Sequence, residues 1–366
     1  MRSFDVAVVG AGIVGLAHAF VAARAGLRVV VCERHPRALG ASIRNFGFIT
    51  VTGQQRGAIW RTARRCRDIW ADIAPQAGIP VLHHSLYLSA RYAESAAVLD
   101  AFMATEMAEG CRLLRSDAAP HPFPDGWVLH SPHELRVESS TALPTLTQWL
   151  AEGYDVEFRF DTAVTAIESG RLHTAMGEIA AERIVVCPGD DFTGLFPDCL
   201  HGLQRCQLQM LRLADPGFRL PGGVMSDLGL IRYLGYAELD AAKALRTRLE
   251  AERGDALDSG VHLIVTQSAD GTLVVGDSHH YGAAPEPFAR ADVDELILDE
   301  YRAVLGDAPP VVARWTGTYA TADDRLVLRE TPLPGVHLVV VTCGAGASLS
   351  FGLAEQTFCD ILEPQA

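Results

Sequence analysis

Gly10, Gly12 and Gly15 stand in a G-x-G-x-x-G spacing directly behind one apolar run, 4–9, and ahead of a second, 27–33. Each glycine has its own task in holding a pyrophosphate. Gly10 permits a tight turn, Gly12 lets backbone approach phosphate oxygens, and Gly15 lets a helix pack close to a strand. Ile13 and Val14 open that helix, whose N-terminus favours an anion. Glu33 closes the second run at about the 20-residue offset of a carboxylate that accepts hydrogen bonds from a ribose 2′-OH. A glycine turn alone occurs in many folds that bind nothing. Here strand, turn, helix, strand and acid coincide, so a phosphate-bearing dinucleotide is expected.

These residues need a framework, and the chain spells one out. After Arg34 comes a small-residue loop holding Ala41, Ser42, Arg44 and Asn45, placed either to run along a pyrophosphate or to serve as a solvated connector. Residues 57–73 read as an amphipathic helix whose four arginines suit a solvated face. From 80 the texture changes to a strand over 81–89 and a helix over 94–110, and 140–152 is a helix that a serine or threonine caps. A buried strand over 182–187 ends in Pro188-Gly189. Period-two alternation at 204–213, 261–267 and 272–276 predicts an antiparallel sheet, with helices near 240–253 and 292–305. A last strand at 336–343 feeds Gly344 and Gly346 and a helix over 349–362. The expected division is a nucleotide lobe of 1–80, 127–202 and 311–366, and a second lobe of 81–126 and 203–310.

At 366 residues, 49% hydrophobic and 21% charged, the chain suits a two-lobed globular enzyme. Its net charge of −14 argues against nucleic-acid binding, which needs a basic surface. Lys243 is the only lysine, so any amine chemistry has a single candidate. Eight scattered cysteines form no C-x-x-C pair and no metal-type cluster, as expected of reduced thiols in a cytoplasmic protein without a metal. The apolar stretches 6–26 and 336–354 are strand-glycine-helix patterns rather than membrane spans, and the first lacks the basic start and cleavage site of a signal peptide.

Taken together, Val8-Val9-Gly10-Ala11-Gly12-Ile13-Val14-Gly15 with Glu33-Arg34, Val185-Val186-Cys187-Pro188-Gly189, and Cys343-Gly344-Ala345-Gly346 resemble the D-amino-acid oxidase superfamily, which includes glycine oxidase and monomeric sarcosine oxidase. The likeness spans essentially the whole chain. It implies an α/β fold: an interleaved Rossmann-type lobe that binds FAD, and an α+β lobe that holds substrate under a mostly antiparallel sheet. It also implies Val164 on the adenine side, with backbone amides at Gly346, Ala347, Ser348 and Leu349 facing the flavin O2 edge. The stretches 40–47, 276–282 and 314–319 are similar to a narrower group, the FAD oxidoreductases associated with bacterial aminophosphonate breakdown. Two departures matter. Tyr319 stands where glycine-oxidase-like members carry a carboxylate-binding arginine, and no cysteine lies between Cys206 and Cys343 to attach flavin, so FAD is expected to be noncovalent.

The resemblance implies an amine substrate that passes hydride from carbon to flavin N5, leaving an imine that water hydrolyses. His279, His280 and Tyr281 are the candidates for holding the amine neutral, the alternative being that a histidine merely satisfies buried backbone. Arg314 and Tyr319, then Arg232 and Arg44, are candidates for an anionic tail, with salt bridges or cofactor phosphates as the alternative. Phe48 is counted with the substrate contacts. The expected partners are a small amine and oxygen or another electron acceptor. Competing expectations are a glycine, sarcosine or D-amino-acid oxidase, or a dehydrogenase that passes electrons elsewhere.

Overall fold

The computed structural model describes residues 3–362. Strand β1 (Ser3–Val9), helix α1 (Ile13–Arg24) and strand β2 (Val29–Cys32) form the expected unit. All four residues of β2 are buried, as in a parallel sheet covered on both faces. The strands Gly177–Val186 and Val336–Val341 join on the other side of β1, and Glu157–Arg159 joins beyond β2, all parallel. In chain order this is a 3-2-1-4-5 arrangement. Its order reverses between β1 and Gly177–Val186, where a doubly wound sheet opens a crevice for a ligand.

The second large sheet is mostly antiparallel, with Gly223–Ser226 beside Leu86–Ala90 its parallel exception. Its long central pair is Gln204–Leu213 against Val311–Thr321. On the other side of Gln204–Leu213 the partner strand is interrupted: Leu273–Gly276 pairs with one half and His280–Gly282 with the other. Strand pairing corrects the expected lobe boundaries at two places. Trp127–Ser131 and Val311–Thr321, expected in the nucleotide lobe, are hydrogen-bonded into the second sheet. Pairing partners set such boundaries, and a linear sequence does not display them.

The helices Ala58–Gln76 and Ser139–Tyr154 form where the periodicity places them. The second is preceded by Glu138, however, and no side chain caps it, contrary to the expected hydroxyl cap. Apolar side chains gather into one core under the second sheet and one on each face of the parallel sheet. No helix among the described residues is long and apolar enough to cross a membrane.

Candidate active site

A cavity of about 910 Å³ runs from the glycine turn to the inner side of the second sheet. At the first end, backbone makes the walls. Gly10 has φ +102°, and a Cβ there would lie 2.5 Å from the Cys187 oxygen. A Cβ on Gly15 would lie 1.9 Å from the Gly10 oxygen, whereas one on Gly12 would meet only Ser42 Oγ, at 3.1 Å. Two of the three positions therefore exclude any side chain. Glu33 Oε2 accepts from the Ala11 amide at 2.9 Å and Oε1 from the His35 amide at 3.0 Å. The carboxylate thus ties the turn to the chain after β2 while lining the cavity.

The loop after β2 clasps α1. Ser42 Oγ accepts from the Ile13 amide at 3.0 Å. Asn45 Nδ2 donates to the Ala41 and Ser42 oxygens, and its Oδ1 accepts from the Gly47 amide and Ser139 hydroxyl, so Asn45 holds the loop's shape. Arg34 pairs with Asp191 at 2.5 Å, and Arg44 reaches the Thr316 oxygen at 3.4 Å. Both line the cavity, as do Val14, Val164, Pro188, Gly189, Gly344, Gly346 and Ala347. Ser348 and Leu349 do not. Their amides donate to the Ala345 oxygen as the last helix begins, and Ser348 Oγ accepts from the Thr50 amide at 2.8 Å. The expected row of cavity-facing backbone ends at Ala347.

At the other end, side chains make the walls. Arg232 follows a short 3-10 turn, Asp227–Ile231, and donates to the Tyr281 hydroxyl at 3.0 Å. Among the described residues no carboxylate oxygen comes within 4.0 Å of its guanidinium. Burial works against that charge, but the oxygens of Tyr281, Tyr319 and Asp277 outweigh it and hold the group charged. Tyr319 lines the cavity beside Gly344, with burial pushing its phenol well above the ordinary value. Phe48, Leu208 and Ile264 supply apolar wall.

The interruption between the two partner strands turns residues 277–279 out of the regular ladder. Ser278 Oγ fills the gap by accepting from the Gln209 amide at 3.2 Å. Asp277 and His279 then face the cavity together with His262, which exchanges backbone hydrogen bonds with Asp277. His262 Nδ1 lies 3.2 Å from Asp277 Oδ1, and His279 Nε2 lies 3.7 Å from Asp277 Oδ2. Burial raises the Asp277 carboxyl to about 7, with Arg232 opposing, and holds both imidazoles well below their ordinary value.

Of the substrate-side expectations, Arg232, Tyr319, His279, Tyr281 and Phe48 converge on the cavity; His280 and Arg314 do not. His280 faces a separate surface hollow with Arg290 and Asp292. Arg314 Nε donates to Asp294 at 2.5 Å from the sheet face that carries the helix Ala291–Leu305, with half its side chain exposed. Lys243 is exposed and pairs with Asp240. Sequence reasoning missed His262, Asp277 and Tyr233. The only available signal was the hairpin 261–279, whose register would have put His262 across from Asp277.

The residues fit a dinucleotide: a glycine turn closed to side chains, a carboxylate at the end of the second strand, and an elongated cavity leading to polar side chains. No curated protein matches the chain. Its fold is similar to that of a glycine oxidase from Geobacillus kaustophilus (TM-score 0.78, 18% identity, covering 100% of this chain and 96% of that one). It is also similar to an L-proline dehydrogenase from P. horikoshii (0.79, 13%, 100% and 95%). An L-α-glycerophosphate oxidase from Mycoplasma pneumoniae with FAD bound is a third (0.72, 15%, 98% and 95%). The DAO model, described as FAD dependent oxidoreductase, matches residues 5–358, and the chain belongs to that family of FAD-dependent enzymes.

Proposed function

We propose that this enzyme oxidises a C–N bond of a small amine that carries an anionic tail, specifically a secondary aminoalkylphosphonate such as N-methyl-2-aminoethylphosphonate. The products are then phosphonoacetaldehyde and methylamine. The observation that carries this reading is Arg232, a charged guanidinium inside the cavity with a phenol but, among the described residues, no carboxylate as its partner. A guanidinium held this way is matched to a phosphonate or carboxylate tail. Tyr319 in place of the arginine expected of an α-carboxylate clamp, and the likeness of 40–47, 276–282 and 314–319 to aminophosphonate-associated enzymes, favour phosphonate.

FAD, held by the glycine turn, Glu33 and the 41–45 loop, supplies the hydride acceptor. The chain's own residues do the rest. Arg232 and Tyr281 bind the tail, which fixes the amine's position relative to the cofactor. Phe48, Leu208 and Ile264 keep water from the reacting carbon. A second reading, a carboxylate tail, is favoured by the amino-acid-oxidising neighbours, since a guanidinium takes either anion.

The test is anaerobic flavin reduction across amines that differ only in a phosphonate, carboxylate or hydroxyl tail. Arg232→Met is expected to weaken the phosphonate compound roughly 10- to 150-fold, the range of a lost charge-assisted contact of about 1.5–3 kcal/mol. The hydroxyl compound should change little. Equal reduction by hydroxyl and phosphonate compounds in the unmodified enzyme rejects the anionic tail, and preference for carboxylate selects the second reading. Peroxide release compared with dye reduction separates an oxidase from a dehydrogenase.

A further inference from the structure

An ammonium substrate presents a difficulty that the tail contacts do not address. An alkylammonium resembles the lysine side chain, with a pKa near 10.4, so at neutral pH only on the order of one molecule in a thousand has the free electron pair that C–N oxidation requires. The proton has to go somewhere, and the substrate end of the cavity carries a cluster of atoms suited to take it.

His262, Asp277 and His279 are 3%, 4% and 6% exposed. His279 Nδ1 lies 2.8 Å from the Gly260 oxygen. A carbonyl only accepts, so Nδ1 carries the hydrogen, and in the neutral ring Nε2 is a bare lone pair. That lone pair faces Asp277 Oδ2 at 3.7 Å. Two acceptors facing each other in a buried site repel, and a proton placed between them relieves that repulsion. Asp277 Oδ1 and His262 Nδ1, 3.2 Å apart, lack the alignment of a hydrogen bond, and neither they nor His262 Nε2 make one to any other described residue. The cluster therefore has a place for one proton and an opening to the cavity.

We propose that Asp277, with His279 opposite it and His262 beside it, receives the proton that the substrate's ammonium nitrogen gives up before oxidation. This rests on the reading of the cavity as an amine-oxidising site. In the step, an N–H bond breaks, its electron pair stays on nitrogen, and the proton forms an O–H bond on the Asp277 carboxylate. Nothing is oxidised or reduced until the adjacent C–H is cleaved.

The groups facing the cluster are Arg232 and Tyr233 from the segment after 227–231, Cys206 from the central strand, Tyr319 from its neighbour, and Tyr281 from the strand beyond, while His280 of that strand acts on His279 from the outer side. Arg232 is the fixed charge among them. It stabilises the deprotonated Asp277 and opposes a second proton on either imidazole, so the cluster alternates between no proton and one. The same charge opposes a divalent cation on these three side chains. A carboxyl raised to about 7 suits a proton acceptor near neutral pH.

The experiment compares the holoenzyme with Asp277→Asn, and with His279→Asn as a second variant should the first not fold. Flavin reduction is followed anaerobically from pH 6 to 10 with N-methyl-2-aminoethylphosphonate. The unmodified enzyme is expected to gain rate through an inflection near pH 7 and then level. Asp277→Asn should lose that inflection and climb about tenfold per pH unit toward the amine's own pKa, leaving a deficit of roughly 300-fold at pH 7.5 that closes near pH 10. A parallel profile, uniformly lower, overturns the proposal and leaves Asp277 a structural role.

Infrared difference spectra of the oxidised holoenzyme provide a readout without turnover. A protonated-carboxyl band that is lost on raising the pH through about 7, and absent from Asp277→Asn, is expected; its absence overturns the proposal. Stoichiometric zinc or iron in the purified holoenzyme overturns it in favour of a metal centre. An unmodified flavin that no amine reduces removes the amine reading itself, a result distinct from normal reduction whose pH profile Asp277→Asn leaves unchanged.

Discussion

The two ends of the cavity are built from different materials. Around Gly10–Gly15 the walls are backbone, set by a positive φ and by separations too short for any side chain. Around Arg232, Asp277 and Tyr319 the walls are side chains from several segments distant in sequence. A backbone wall has one shape, so it suits an invariant cofactor. A side-chain wall can be altered one residue at a time without disturbing the sheet behind it, so it suits a substrate that differs between relatives. The fold neighbours fit this contrast, with one architecture shared by a glycine oxidase, a proline dehydrogenase and a glycerophosphate oxidase.

The sharpest way to break the comparison is Gly15→Ala. Its Cβ would meet the Gly10 oxygen at 1.9 Å, and backbone on both sides leaves no flexible group to give way. The purified variant should carry little or no flavin, measured as the ratio of flavin to protein absorbance. Gly12→Ala, which meets only the end of the Ser42 side chain, should keep most of it. Equal retention by the two variants would mean that the backbone end is as adaptable as the other.

A smaller effect belongs to Asp277. Its carboxyl is raised to about 7 in the folded protein from an ordinary 3.8, so between those values the folded state binds more protons than the unfolded one. Stability then falls as pH rises through that window. Asp277→Asn removes the penalty. Its advantage in thermal stability over the unmodified holoenzyme should grow from pH 5 to pH 8, approaching a few kcal/mol. An advantage that is constant with pH would place the carboxyl's titration outside this range. Buried His18 and His83, each held near 4, act in the opposite sense in both proteins. The folded state resists protonating them, and stability is lost as pH falls from about 6.5 toward 4.

The smallest effect is expected at Arg314, on the outer face with Asp294. Arg314→Ala should leave the KM of the anionic amine within about threefold of normal, because a half-exposed ion pair is worth no more than about 1 kcal/mol and does not touch the cavity. A large rise in KM would return the anionic tail to the outer face of the sheet.

The same contrast explains what could be read from the sequence. Gly10, Gly12, Gly15 and Glu33 lie within one βαβ unit, and their spacing is their geometry. Pro188-Gly189 and Gly344–Ala347 were legible for a similar reason, since a strand running into a glycine turn is a local pattern. The substrate end offered nothing comparable. His279 and His280 are adjacent, yet one faces the cavity and the other the surface, because successive residues of extended chain point to opposite sides. The sequence ranks Arg314 ahead of Arg232, yet the fold sets Arg314 on the outer face of the sheet and Arg232 at the cavity, after the 227–231 turn. Asp277 and His262 depend on an interrupted strand, which leaves no residue pattern, and on a hairpin register that is only faintly legible in 261–279.

The glycine turn opens helix α1, and the partner of that helix is the last one described, Gly346–Leu362. His18 Nε2 meets Thr357 Oγ1 at 3.2 Å, Arg24 pairs with Glu355 at 2.7 Å, and Phe20 packs edge-on against Phe351. On a ribosome adding roughly 5–20 residues per second, some 15 to 65 seconds separate the making of the two helices. Through that interval the most apolar helix of the nucleotide lobe can pack on the helix Ser139–Tyr154, through Phe20 against Trp149 and Tyr154, but lacks the surface of the last helix. Flavin capture is thus a late event for this enzyme, completed only after synthesis has passed residue 362. A nascent chain stalled before 346 should expose α1 to chaperones and hold no cofactor.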